Sequence, residues 1–160
     1  METPSGAVLA VDVGRVRSGV AVSDPARSVA TPLATVPGDA GSDPAALARV
    51  VAGLVTEHAA TSVVVGLPLS LSGAEGPAAA LARGVAGALA AVVDVPVRLV
   101  DERFTTTTAH DRLRAAGRSE RRRRPVVDQE AATVLLQHVL DAARGGVELG
   151  RPPTEGVGAA

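Results

Sequence analysis

The stretch Ala7 to Asp24, AVLAVDVGRVRSGVAVSD, constrains this chain more than any other. An apolar run from Ala7 to Val11 leads straight into Asp12. A second run, Val20-Ala21-Val22, follows the polar link Arg15-Val16-Arg17-Ser18-Gly19. Two apolar, β-rich runs joined by a short link with Gly at both ends read as a hairpin. Asp12 is the anomaly. A carboxylate inside an otherwise buried strand is costly unless it is paired, hydrogen-bonded or bound to metal. Either Asp12 caps the turn at Gly14, as Asp-x-Gly commonly does, or the rest of the chain supplies it with a partner.

The chain has 160 residues, 46% of them hydrophobic, which suggests one domain with a real core. No apolar run reaches the roughly 18 residues of a membrane span, so no membrane partner is expected. The N-terminus METPSG lacks the basic and apolar regions of a secretory signal. With zero Cys there is no disulfide framework and no thiolate metal site. These features fit a cytoplasmic protein. The net charge of -1 supplies no global basic field for nucleic acid. The local distribution differs, because all 16 basic residues are Arg and five lie between Arg118 and Arg124. Phe104 is the one aromatic residue, which argues against base stacking on aromatic platforms.

Along the chain, Val29 to Val36 reads as a third strand, with Pro32 placing it at an edge or an irregularity. Asp43-Pro44 looks like an N-cap followed by Pro at the first helical position. The helix it opens carries Leu47, Val50, Val51, Leu54 and Val55 and runs to about His58. Ser62 to Gly66 has the fully apolar pattern of a buried parallel strand. A helix over Pro77 to Val92 and a strand over Val97 to Val100 follow. Thr105 to Thr108 offer caps for a third helix ending near Gly117. Gly117 to Pro125 reads as a basic loop, and a fourth helix spans about Val126 to Arg144. Gly145 to Ala160 has little to bury and is expected to be a disordered tail, leaving residues 1–144 as the domain. The order β-β-β-α-β-α-β-α-α predicts an α/β fold with a mixed sheet and helices on both faces.

In open α/β sheets, sites gather at the carboxyl ends of parallel strands. Asp12 lies near the end of the first strand, Gly66 ends the fourth, and Asp101 and Glu102 end the fifth. Alternation puts Asp101 and Glu102 on opposite faces, so one of them joins Asp12 while the other pairs with Arg103 or holds the strand end. Asp128 shares a helix face with Ala131, Ala132 and Leu135; alternatively it is a helix-start carboxylate favoured by the dipole. Three inward acids would repel one another, and a divalent cation would neutralise them. Oxygen-only ligands suit Mg²⁺ or Mn²⁺, and two such ions can cleave phosphodiesters. His58, His110 and His138 have no ligand-like spacing.

The segments AVDVGRVRSGVAVSD, VATPLATV, VVVGLPLSLSG, LVDERFTTTTA and VVDQEAATVLLQ, in that order, resemble the YqgF or RuvX family, whose members are regarded as Holliday-junction-resolvase-like proteins that mature the 5′ end of precursor 16S rRNA. The resemblance covers about Ala7 to Ala143. It departs at Ser70-Leu71-Ser72-Gly73, where many members carry Asn and Asp. It implies an RNase H-like fold: a five-stranded mixed sheet, three antiparallel strands and then parallel ones, flanked by helices. It places Asp12, Glu102 and Asp128 in the acidic, metal-holding site. Phosphates would be positioned by Arg15, by the backbone amides of Gly66 and Leu67, and by Arg118, Arg121, Arg122, Arg123 and Arg124.

The expected activity is therefore metal-dependent cleavage of structured RNA, precursor 16S rRNA above all, in ribosome biogenesis. Branched DNA is the alternative substrate. A non-catalytic RNA-binding module would keep the Arg run without needing three acids. An actin-like ATPase or sugar kinase would need a second domain with its own Asp-x-Gly hairpin, and the chain has none.

Overall fold

The computed structural model describes residues 4–103 and 120–154, with side chains from Gln129 onward in the second stretch. Five strands form one sheet: β1 (Val8–Asp12), β2 (Arg17–Ser23), β3 (Ala30–Pro37), β4 (Ser62–Leu67) and β5 (Val97–Asp101). Their order is β3-β2-β1-β4-β5. The first three are joined antiparallel, whereas β4 lies parallel to both β1 and β5. This is the expected mixed sheet. β3 forms one edge, where the missing N–H of Pro32 does least harm. The ladder slips there: Val20 faces Ala34 and Ala21 faces Pro32, so Leu33 bulges out.

Alternating side chains divide the interior in two. Leu9, Val11, Val63, Val65, Leu67, Val97 and Leu99 pack under α1 (Pro44–Glu57) and α2 (Pro77–Val92). Val8, Ala10, Val64 and Val100 pack under α3 (Glu120–Arg144), against Ala132, Leu135, Leu136 and Leu140. The cap on α1 forms as the sequence suggests, with Asp43 Oδ1 accepting from the Ala46 N–H at 3.0 Å. Two amides fasten α3 to the β3 edge. Gln129 Nε2 donates to Thr35 Oγ1 at 2.7 Å, and Gln137 Oε1 accepts from the Ala30 N–H at 2.9 Å. Gln137 Nε2 also donates to the Ser28 carbonyl at 3.1 Å. The helix therefore runs antiparallel to β3 and starts at the carboxyl end of β1.

Two expectations need correction. The basic stretch is not a loop up to Pro125: α3 begins at Glu120, so Arg121, Arg122, Arg123 and Arg124 lie in its first turns. A charge run signals solvation, but Arg is also a good helix former, and Pro125 removes one donor near the helix start. The helix expected before Gly117, and Arg118, lie outside the described residues.

The second correction concerns the tail. The Leu99 N–H donates to the Arg151 carbonyl at 2.8 Å, and the Arg151 N–H donates back to Leu99 at 2.9 Å. Arg98 pairs with Glu148 at 2.6 Å, Arg83 Nη1 donates to the Pro153 carbonyl at 3.3 Å, and Leu149 packs on the second core. Low apolar content suggested that nothing held this segment. The unpaired backbone of edge strand β5 supplies the partner instead. Residues 155–160 lie outside the described residues.

Removing everything after Arg144 should therefore lower stability by about 1–2 kcal/mol, since two backbone hydrogen bonds are each worth about 1 kcal/mol net and ordering the segment offsets part of the gain. The urea midpoint of the truncated chain measures this.

Candidate acidic active site

The alternation that sorts the core also sorts the acids. Asp12 continues the face of Val8 and Ala10, and Glu102 that of Val100, so both look toward the α3 side. Asp101 takes the opposite side and does what the sequence allowed it to do. Its Oδ1 accepts from the Arg103 N–H at 2.9 Å, and its Oδ2 accepts from the Arg103 guanidinium at 2.8 and 2.6 Å. Those hydrogen bonds and the Arg103 charge outweigh partial burial and hold the Asp101 carboxyl below its ordinary range.

Glu102 is the one charged side chain buried among the described residues, 6% exposed. Its backbone N–H donates to the Leu67 carbonyl at 3.2 Å, which fixes where it leaves the sheet. Burial pushes its carboxyl well above the usual glutamate value, and the neighbouring Asp12 charge and a hydrogen bond with Asp12 push the same way. Two carboxyls can share such a bond only while one holds a proton. Asp12 thus has its partner, and the partner is a second acid.

Gly66 makes the meeting possible. It stands in β4 between the two acid-bearing strands, paired with Val100 and one rung past the Val11–Val65 pair. A Cβ built on it would lie 2.1 Å from Glu102 Oε1 and 2.6 Å from its Cδ. The missing side chain is the space the carboxyl occupies. The sequence reading gave Gly66 and Leu67 a backbone role toward phosphate. Both pair with β5, and the Leu67 side chain is buried in the first core. The steric role was missed, although a Gly inside an apolar strand signals close approach of another group.

The level of α3 follows from the strand registers. Thr35 pairs with Gly19, and Gly19 pairs with Asp12, so the three lie on one rung. Gln129 holds Thr35. The adjacent residue, Asp128, therefore sits on α3 at the level of the Asp12–Glu102 pair, in helical register with the buried Ala131, Ala132 and Leu135; its side chain lies outside the described residues. Arg15 is exposed in the hairpin turn just beyond Asp12.

The donor set is oxygen-only and rich in negative charge, with Glu102 buried and Asp12 half-buried, which fits a hard divalent cation better than a structural polar pair. Among the described residues no group of three ligating side chains comes together. Asp12 and Glu102 are the two that are visible, and Asp128 is the candidate third.

The sequence profile described as RuvX: Holliday junction resolvase matches residues 6–142. The chain belongs to the RuvX family. A RuvX relative from Leifsonia xyli, named "Putative pre-16S rRNA nuclease", is 48% identical over 149 residues, spanning 93% of this chain and 92% of its own. A relative of the same name from Streptomyces coelicolor is 51% identical over 152 residues, spanning 95% and 88%. Among solved structures, Thermus thermophilus RuvC in complex with a Holliday junction substrate aligns with TM-score 0.59 at 18% identity, over 91% of this chain and 99% of that one. The human cytomegalovirus terminase nuclease domain aligns with TM-score 0.52 at 9% identity, over 85% and 84%. At these identities the likeness shows that RuvX shares the RNase H-like fold.

Two measurements test the pair. Because Glu102 binds its proton more tightly folded than unfolded, its contribution is full below about pH 4.5 and is lost as pH rises through the folded-state value. In chelator, the melting temperature of Glu102→Gln should therefore gain on the wild type as pH rises from 4.5; a constant difference would show that the carboxyls do not share a proton. Separately, Gly66→Ala should cost about 1–3 kcal/mol by overpacking. Most of that cost should vanish in a Glu102→Ala background, as a double-mutant cycle by urea unfolding would show.

Proposed function

We propose that this RuvX protein is a metal-dependent endonuclease that matures the 5′ end of precursor 16S rRNA, acting in the cytoplasm during ribosome biogenesis. The observation that carries the reading is the contact of half-buried Asp12 with buried Glu102 at the carboxyl ends of β1 and β5, level with position 128 of α3. The names of the relatives at 48–51% identity supply the substrate. Residues 1–144 hold the catalytic unit.

Asp12, Glu102 and Asp128 would hold Mg²⁺ or Mn²⁺. When bound, such ions activate water and stabilise the leaving oxygen of a phosphodiester. The protein's own part is to present the acids from three separate elements on one covered face. Gly66 keeps the space for Glu102, and Asp101 is kept apart by Arg103. A proton held by the pair would leave when a cation binds, so cation affinity should rise with pH.

Phosphates of the substrate would meet Arg15 at the hairpin turn and Arg118, Arg121, Arg122, Arg123 and Arg124 around the start of α3. Four cations in the first turns of a helix oppose its dipole. A polyanion bound there offsets that cost, which favours a substrate role for the run over plain solvation. The family description favours branched DNA as the second substrate to try.

Asp12→Asn, Glu102→Gln and Asp128→Asn should each lose about 100-fold or more of the cleavage of a precursor 16S rRNA fragment in Mn²⁺, while their metal-free melting temperatures hold or rise. Asp101→Asn should retain more activity than Glu102→Gln. Three variants that cut normally would reduce the protein to a nucleic-acid-binding module.

A further inference from the structure

We propose that Val16 and Leu71 are base contacts, two apolar prongs that hold unpaired RNA bases on either side of the acids. The inference rests on the nuclease reading above. Exposure is the first argument. Among the described residues Leu71 is the most exposed large hydrophobic side chain, at 86%, and Val16 is the next, at 71%. Single exposed apolar residues are ordinary. These two fall on two separate turns, and both turns leave the sheet at the end where the acids stand. Val16 is in the turn that joins β1 to β2, just past Asp12, and Leu71 is in the turn that follows β4.

The second argument is that neither turn is slack. The Gly14 N–H donates to Ser18 Oγ at 3.0 Å, and the Val16 carbonyl accepts from the Gly38 N–H at 2.9 Å. Around Leu71, the Ser70 N–H donates to the Ala74 carbonyl at 3.0 Å and the Gly73 N–H donates to the Ser70 carbonyl at 2.8 Å. Ser70 Oγ accepts from the Ala74 N–H at 3.1 Å and lies 2.8 Å from Ser72 Oγ. Gly73 closes the turn at φ +87°, a conformation that suits glycine. Each apolar side chain is thus carried on an ordered support, so little freedom is lost when a ligand covers it.

Position is the third argument. The Asp12–Glu102 contact lies over Gly66 in β4. The Val16 turn is tied to Gly38, just past β3, on one side of that contact. On the other side, Arg103 Nη1 donates to the Leu71 carbonyl at 3.5 Å, and Arg103 is the residue after Glu102. A strand that lays its phosphate on the acids and runs across the sheet therefore meets an apolar tip on each side. Unpaired RNA bases are the group to expect there, because single strands are recognised through bases that have left their stacks. Leu is among the side chains that wedge between base steps. With Phe104 the one aromatic residue, aliphatic tips are what this chain has to offer a base.

The test uses the full chain in chelator, so that nothing is cut. The probes are a fluorescein-labelled single-stranded RNA and the same sequence as a duplex, read by anisotropy across a salt series. Leu71→Ala should bind the single strand about fivefold more weakly and Val16→Ala about twofold, as partial burial of those side chains predicts. The slope of log K against log salt should not change, since an apolar contact releases no counterions. Leu71→Met should bind as the wild type does, because apolar volume is kept. Leu71→Phe should bind at least twofold more tightly by stacking, a gain that a merely structural role would not give. Val92→Ala is the control. Val92 is 56% exposed and ends α2 at the far end of the sheet, before β5 begins. Melting temperatures should stay at the wild-type value in all five variants. Losses confined to the single strand support the base contacts. Equal losses on the duplex, or a loss in one Ala variant alone, would overturn the two-sided grip. Wild-type affinity in both Ala variants would also overturn it, and would leave the nuclease reading standing if the wild type still cuts precursor rRNA in Mn²⁺. A wild type that neither binds nor cuts would overturn both.

Discussion

The contact between Asp12 and Glu102 is the constraint on which the rest of the structure depends. Burial and the neighbouring Asp12 both favour the protonated form of Glu102, so the contact depends on where the two carboxyls are placed. Position requires β4 between β1 and β5, parallel to both, so that all three strands end at the same level. It requires the two acids to fall on the same parity of the pleat. It also requires Gly66 in the strand between them, because any side chain there would occupy the space of the carboxyl. A fold with these requirements holds two acids in contact at a cost in stability.

Much of this was legible in the sequence because it is local. The hairpin around Asp12, the Asp43–Pro44 helix start and the opposed parities of Asp101 and Glu102 follow from short spacings, and the structure reproduces each. What stayed hidden depends on partners far away in the chain. The docked segment was read as disordered because its composition gives it no core of its own; its partner is the backbone of β5, which composition does not report. Gln129 and Gln137 find their partners on β3 and the turn before it, about a hundred residues away in the chain, which helical spacing alone does not report. The arginine run was read through its charge rather than through its helix propensity.

The likeness to RuvC at 18% identity shows how little of the sequence this topology needs. Parity, strand order and a covering helix can be met by many apolar residues, and function resides in the few positions that cannot be exchanged. In this chain those positions are unusually free of chemical redundancy. With Cys and Lys absent and one aromatic residue, the acids and the arginines are nearly all the chemistry available.

The two glutamines that fasten α3 have a geometric consequence. They stand eight residues apart, about 12 Å along the helix, and grip β3 near its two ends, at Thr35 and at Ala30. Two such grips act as a vernier. A slip of the helix by one residue would advance it by about 1.5 Å and turn it by about 100°, and both amides would lose their partners together. Thr35 belongs to the strand farthest from Glu102, four strand spacings or about 19 Å away. The far margin of the sheet is thereby the bearing that sets which way the beginning of α3 faces.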